Sequence, residues 1–366
     1  MKFRYLYIPL AILVTTCACI QAQQRLQGTT WRGILQHPVE WYGSEEATRI
    51  ADNVLLYQHE NGGWSKNIDM AQVLDKSGKA KVVEEGRTAR STIDNGATFT
   101  QLNYLAWVYQ ITRAERFKDS VLRGIDYVLD AQYENGGWPQ YYPIREGYYQ
   151  HITYNDGAMV GVMVGVMRLL RDVAQKKQPY IFVDQLRQDR AAAAIQKGLE
   201  IILRTQITVN GELTAWCAQH DRETLAPAQA RTYELPSISG GESAGLITYL
   251  MEIGNPDDRV IRAVESAVEW YERSKITGVA LIRKEDTSLE KGYDRVVVKK
   301  SEASPLWGRF YDIKTNRPIF VGRDGVIKHS LAEIEYERRV GYSYIGEYGA
   351  KVLATFPAWK AKWNGQ

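Results

Sequence analysis

The tetrapeptide Asn-Gly-Gly-Trp occurs twice, at Asn61–Trp64 and again at Asn135–Trp138, a step of 74 residues, with a degenerate third copy beginning at Asn210. Each copy follows a helix-like stretch and opens a polar, aromatic loop. A fixed period of this size points to a repeated helical unit whose loops gather on one face. Tandem glycines allow positive φ and close approach of backbone or ligand, and the adjacent tryptophan offers a flat apolar ring. Two readings of Trp64 and Trp138 follow. They line a cleft as substrate-binding stacking surfaces, or they cap each helix and plug the core.

The helical segments are legible by their period. They run over 45–57, 97–111, 114–132, 157–173, 190–204, 245–251 and 258–274. The 157–173 stretch is apolar nearly all round its first half, which marks a buried helix. Consecutive helix pairs joined by loops at this repeat predict a mainly α fold, a partial (α/α) toroid. Two stretches break the pattern. Residues 75–90 are charged and read as a loop. Beyond Ile276 the chain is rich in β-branched residues, and turn residues at Thr315-Asn316 and Arg323-Asp324-Gly325 predict short strands and a hairpin.

The 366-residue chain opens with Lys2 and Arg4, an apolar run from Ile8 to Val14, and small residues ending near Ala22. That is the pattern of a secretory signal peptide, too short to span a membrane. The expected organisation is therefore a 1–22 signal and a single catalytic domain over 23–366, exported to the periplasm or beyond. A lipid anchor on Cys17 or Cys19 is disfavoured, because Thr-Thr-Cys lacks the usual small residue before the cysteine. Without the signal, 44 basic residues face 43 acidic ones, a net charge of +1. Such balance argues against bulk nucleic-acid binding. Cys217 is then the sole cysteine, so no intramolecular disulfide is expected and the core must carry stability. Nothing in the pattern requires more than a monomer.

Two constellations carry chemistry. Asp94, Asn95 and Thr98 precede one helix, and Asn155 and Asp156 precede another 62 residues later. Either these residues cap helices, or carboxylates at equivalent helix starts meet at one end of the ring, where Ca²⁺ takes such oxygen ligands. The second constellation is basic: Arg222, Arg231, Arg309 and Arg323. Arginine grips carboxylates with a two-pronged fork, so convergence of several implies an acidic ligand. No Walker loop, Rossmann fingerprint, nucleophile elbow or metalloprotease helix pair is present, and the five histidines are scattered.

The ordered segments NGGWSKNIDM, STIDNGATFTQLNYLAWVY, AQYENGGWPQYYP, ITYNDGAM, TAWCAQHD, ARTYELPSISGGES and PLWGRFYDIKTNRPIFVGRDG resemble the family 10 polysaccharide lyases, which are pectate lyases. The likeness runs from about Trp41 to Trp363. It implies calcium-dependent cleavage of polygalacturonate by β-elimination on a partial (α/α) toroid. Carried over by motif, Asp94 and Asp156 match the family's acidic cleft residues and are the expected Ca²⁺ ligands. Arg323 looks like the catalytic base, and Arg309 and Arg231 look like substrate-carboxylate binders, with Arg222 as a nearby alternative to Arg231. Asn95 is a further candidate for substrate binding. The competing readings are a uronide-acting glycoside hydrolase on a similar toroid and a non-catalytic pectate-binding protein.

Overall fold

The computed structural model describes residues 29–88, 90–154 and 162–363. Ten helices of six residues or more stand among them: α1 (Glu45–Leu56), α2 (Lys76–Gly86), α3 (Phe99–Thr112), α4 (Glu115–Asp130), α5 (Val162–Ala174), α6 (Gln185–Arg204), α7 (Glu242–Met251), α8 (Asp258–Arg273), α9 (Tyr336–Gly341) and α10 (Ala350–Trp363). Helices α3/α4, α5/α6 and α7/α8 pack as consecutive pairs, α4 touches α6, and α6 touches α8. The result is a partial (α/α) toroid. Its inner row is α3, α5 and α7, and its outer row is α1, α4, α6 and α8. Burial follows the rows. Helix α3 hides residues on every side, including Gln101, Tyr104, Leu105, Val108 and Gln110, whereas α8 buries one stripe through Val260, Ala263, Val264, Ala267, Val268 and Tyr271.

The 74-residue step has a physical basis that extends beyond the Gly-Gly-Trp motif. After each of the outer helices α1, α4 and α6 stands a glutamine, at 58, 132 and 206. Their side-chain amides donate to Gly62, Gly136 and Thr214 carbonyls in their own loops, and to Ser120, Ala194 and Ala263 carbonyls on the next outer helix. The same carboxamide thus closes a loop and ties neighbouring units. Gly136, at φ +100°, runs so near α6 that a Cβ would lie 2.1 Å from the Lys197 carbonyl oxygen; Gly62 stands likewise against Arg123. Only glycine fits there.

Trp64, Trp138 and Trp216 are each 0% exposed. Their indole N–H groups donate to Val54, Val128 and Ile202 carbonyls at the ends of α1, α4 and α6. Each ring therefore satisfies a helix-terminal carbonyl and fills the core. Their own carbonyls accept from Thr92, Thr153 and Ser239, which lead toward the inner helices. This corrects the stacking-surface reading of Trp64 and Trp138, since neither presents a face to a ligand.

Residues 75–90 also differ from expectation. Asp75 caps α2 through the Gly78 amide at 2.7 Å, and one residue of that helix, Val82, is buried. A single buried position leaves no periodic stripe in the sequence, so the helix was hidden there. In the C-terminal third, β1 (Val279–Glu285) and β2 (Tyr293–Lys299) pair antiparallel as a hairpin. The other strand pairs are two-residue ladders. Asn316 (φ 52°) and Gly325 (φ 71°) turn the chain where the sequence signals them. The signal segment and Asp156 lie outside the described residues. No described helix is long and apolar enough to cross a membrane.

Candidate active site

Arg231, Arg309 and Arg323 converge on one aromatic pair. Tyr233 and Tyr342 meet edge to face at 5.5 Å between centroids. Arg231 lies 5.1 Å from the Tyr233 ring and 5.7 Å from Tyr342, Arg309 lies 4.6 Å from Tyr342, and Arg323 lies 5.4 Å from Tyr233. A fourth cation, Arg338, sits 4.7 Å from Tyr233. Ring faces tolerate this crowding of positive charge because their quadrupoles attract cations.

Two glutamates hold Arg231 and Arg309. Glu234, 2% exposed, takes Nε and Nη2 of Arg231 in a fork and also accepts the Tyr342 hydroxyl at 2.7 Å. Burial alone would raise the Glu234 carboxyl, but the Arg231 hydrogen bond and charge outweigh it and hold it below the usual range. Burial disfavours the charge of Arg231 too, and Glu234 more than offsets this. Glu242, at the start of α7, takes one Nη of Arg309 and the Ser239 hydroxyl. Burial works against the Arg309 charge, and Glu242 overcomes that and raises its pKa. Each arginine spends one edge on its glutamate. Nε of Arg309 is buried without a hydrogen-bond partner among the described residues.

Arg323 differs in kind. Its side chain is 58% exposed and pairs with Glu337 at 3.2 Å. The backbone carries the precision. Its amide donates to Glu335 Oε1 at 2.6 Å, and a Cβ at Gly322 would fall 2.0 Å from the other Glu335 oxygen. Gly322 is therefore required for Glu335 to grip this turn. Glu337 is shared with Arg338 and is held down to about 2, by Arg338 first and Arg323 next. Arg222 stands apart: its guanidinium lies 5.9 Å from Tyr133 and 3.6 Å from Glu223. The geometry groups Arg231, not Arg222, with Arg309.

Asp94 is 1% exposed. Its Oδ2 is ion-paired with Lys66, while Oδ1 is buried without a hydrogen-bond partner among the described residues. Thr92 places it, donating to the Gln140 carbonyl at 2.5 Å and accepting the Asp94 amide at 3.1 Å. Asn95 is exposed at φ 52°, and its amide reaches Asn67 Oδ1 at 3.4 Å. No cluster of three or more His, Cys, Asp or Glu side chains suited to a metal stands among the described residues.

A run of tyrosines joins the two halves of the site. Lys66 lies 5.7 Å from the Tyr141 ring, Tyr141 meets Tyr149 at 5.3 Å, and Tyr149 meets Tyr148 at 4.0 Å. Burial raises the Tyr148 hydroxyl; Tyr149 adds to this, and the charges of Arg231 and Glu234 also act on it. Sequence reasoning missed this wall and Tyr342; Glu234 and Glu242 read there as residues that either line the site or brace the fold, and they pair with Arg231 and Arg309. The signal was present as PQYYP and GYYQ, but a tyrosine-rich loop has no period that separates a cleft wall from core. His220 is buried, and that burial pushes it down to about 4 and keeps it neutral.

The pectic acid lyase family matches residues 58–353. A family 10 polysaccharide lyase from Cellvibrio cellulosa superposes with a TM-score of 0.74 at 33% identity, over 88% of this chain and 95% of that one. A D189A mutant of a family 10 polysaccharide lyase from Cellvibrio cellulosa, in complex with trigalacturonic acid, superposes with a TM-score of 0.73 at 33% identity, over 90% and 96%. A search of curated proteins returned no match.

Proposed function

Because the chain belongs to the family 10 polysaccharide lyases and is a pectate lyase, we propose that it cleaves polygalacturonate outside the cytoplasm by calcium-assisted β-elimination, with Arg323 as the base. The observation that carries this reading is the convergence of Arg231, Arg309 and Arg323 on Tyr233 and Tyr342. A binding site for one neutral sugar has no use for that much positive charge. The relative bound to trigalacturonic acid supports the substrate class.

The reaction removes the C5 proton of a uronate, forms the C4=C5 double bond and breaks the C4–O bond. The leaving oxygen takes a proton. Negative charge builds on the C6 carboxylate as the C5 proton departs, so donors aimed at that carboxylate lower the barrier. Arg309 and Arg231 suit this work, since Glu242 and Glu234 fix one edge of each guanidinium and leave other N–H groups to a ligand. Arg323 suits proton removal for a different reason. Among the described residues its side chain pairs with Glu337, and that ion pair is solvent-exposed and easily opened.

Asp94 and Asp156 would hold Ca²⁺. The buried Oδ1 of Asp94, without a hydrogen-bond partner among the described residues, fits a hard cation that takes carboxylate oxygens. When bound, the ion supplies positive charge to the substrate carboxylate. Asn95, exposed beside Asp94, would donate to a sugar hydroxyl or carboxylate. A single domain over 23–366, acting as a monomer after the 1–22 signal is removed, completes the proposal.

The test is Arg323→Ala. It should lower kcat by about 10³-fold or more, the scale of losing general-base catalysis, while trigalacturonate binding stays within a few-fold of wild type. Arg323→Lys should retain a little turnover. Full activity in Arg323→Ala would remove the arginine base from the account.

A further inference from the structure

Arg145 stands between the two halves of the site and is not among the arginines already assigned. It sits on the loop between Tyr141 and Tyr149, half-buried, with its guanidinium carbon 4.0 Å from the Tyr149 centroid and 5.5 Å from Tyr141. It forms no ion pair and no hydrogen bond with any described residue. The contrast with its neighbours is chemical. Arg231, Arg309 and Arg323 each give part of their donor edge to a glutamate. Arg145 gives none. A guanidinium packed by its face keeps all five N–H groups in the plane, presented at its rim. The Tyr149 ring at 4.0 Å and the Tyr141 ring at 5.5 Å thus seat a fork whose donors have no partner among the described residues.

Its position narrows what that partner is. On one side, Lys66, the ion-pair partner of Asp94, lies 5.7 Å from the same Tyr141 ring. On the other, Tyr148 meets Tyr149 at 4.0 Å and is acted on by Arg231 and Glu234. A polyuronate carries a carboxylate on every sugar. A chain laid from Asp94 toward Arg231 would therefore bring carboxylates other than the reacting one past this wall.

We propose that Arg145, clamped on Tyr141 and Tyr149, binds the carboxylate of a substrate uronate neighbouring the one that reacts. The inference rests on the polygalacturonate reading of the site. It assigns Arg145 to substrate affinity and to the choice of charged over methyl-esterified units, and it gives the residue no part in proton transfer.

The experiment measures trigalacturonic acid binding by calorimetry and lyase kinetics on polygalacturonate for wild type, Arg145→Gln and Arg145→Lys, with folding checked by thermal melting. Arg145→Gln should weaken binding about tenfold, the scale of one charge-assisted fork. KM should rise in parallel and kcat should stay within about twofold. Arg145→Lys should recover only part of the affinity, because an ammonium cannot form the fork. If Arg145→Gln does not fold, Arg145→Lys alone still decides, since wild-type affinity in that variant overturns the fork. Unchanged binding in Arg145→Gln, or a fall in kcat at constant KM, would overturn the assignment. Failure of the lyase reading is separately visible as wild-type protein that binds trigalacturonate without making unsaturated product.

Discussion

Glu337 sets the electrostatic environment of the proposed base more directly than any other residue. It accepts from Arg323 at 3.3 and 3.2 Å and from Arg338. Because these bonds hold its carboxyl down to about 2, Glu337 is ionised across any pH at which the enzyme works. The stabilisation it lends the neighbouring cations is therefore constant there and fades only as pH falls through about 2. A general base acts in its unprotonated form, so activity should rise toward alkaline pH. Glu337→Gln removes the carboxylate that holds the exposed Arg323 side chain and should lower kcat while trigalacturonate binding is kept. Unchanged kcat in a folded variant would mean that Glu337 does not position Arg323. The motifs TIDNGAT, ARTYE, WGRFYD and VGRDG made the arginines and Asp94 visible in sequence. Glu234 lies in the same ARTYE motif as the Arg231 it holds, whereas Glu242 pairs with Arg309 from 67 positions away, a pairing that spacing cannot reveal. Tyr342 lies 108 positions beyond the Glu234 that it bonds.

At the scale of elements, the Gly-Gly-Trp loops are joints of the scaffold. The indole of Trp138 closes the end of α4 through the Val128 carbonyl at 2.9 Å, and Gln132 ties the same loop to α6 through Ala194. Trp138→Phe keeps most of the apolar volume but leaves that carbonyl unpaired. The variant should lose about 1–3 kcal/mol of stability, read as a lower denaturation midpoint, with KM for polygalacturonate unchanged. A raised KM at full stability would return Trp138 to the cleft. The period itself was plain in the sequence, as were the amphipathic outer helices. What the spacing could not reveal was which way the ring faced, because a tryptophan beside two glycines has the same signature in a core and in a cleft. Helix α2 was hidden for a related reason: it buries only Val82, so it leaves no stripe. The short helix α9 had no period long enough to register, and α10 carries Pro357 within it, which reads as a break.

Across the whole molecule, the toroid does one thing for the chemistry. It repeats a unit in which an outer helix, a glutamine-closed loop and a short extended segment deliver the chain to the start of an inner helix. Thr92 and Ser239 occupy equivalent places after Trp64 and Trp216, and they lead to Asp94 and Glu242. In one unit the carboxylate meets Lys66, and in the other it braces Arg309. Acidic positions generated by one repeat thus serve two electrostatic tasks at the same end of the ring, while the C-terminal segment adds Arg309, Arg323 and the Tyr342 ring. The central claim is that this end performs calcium-assisted β-elimination. The most direct measurement follows ultraviolet absorbance as the mature protein acts on polygalacturonate at alkaline pH, first with Ca²⁺ and then with chelator. Absorbance from the new C4=C5 double bond should rise, be abolished by chelator and return with added Ca²⁺. New reducing ends without that absorbance would mean hydrolysis and contradict β-elimination.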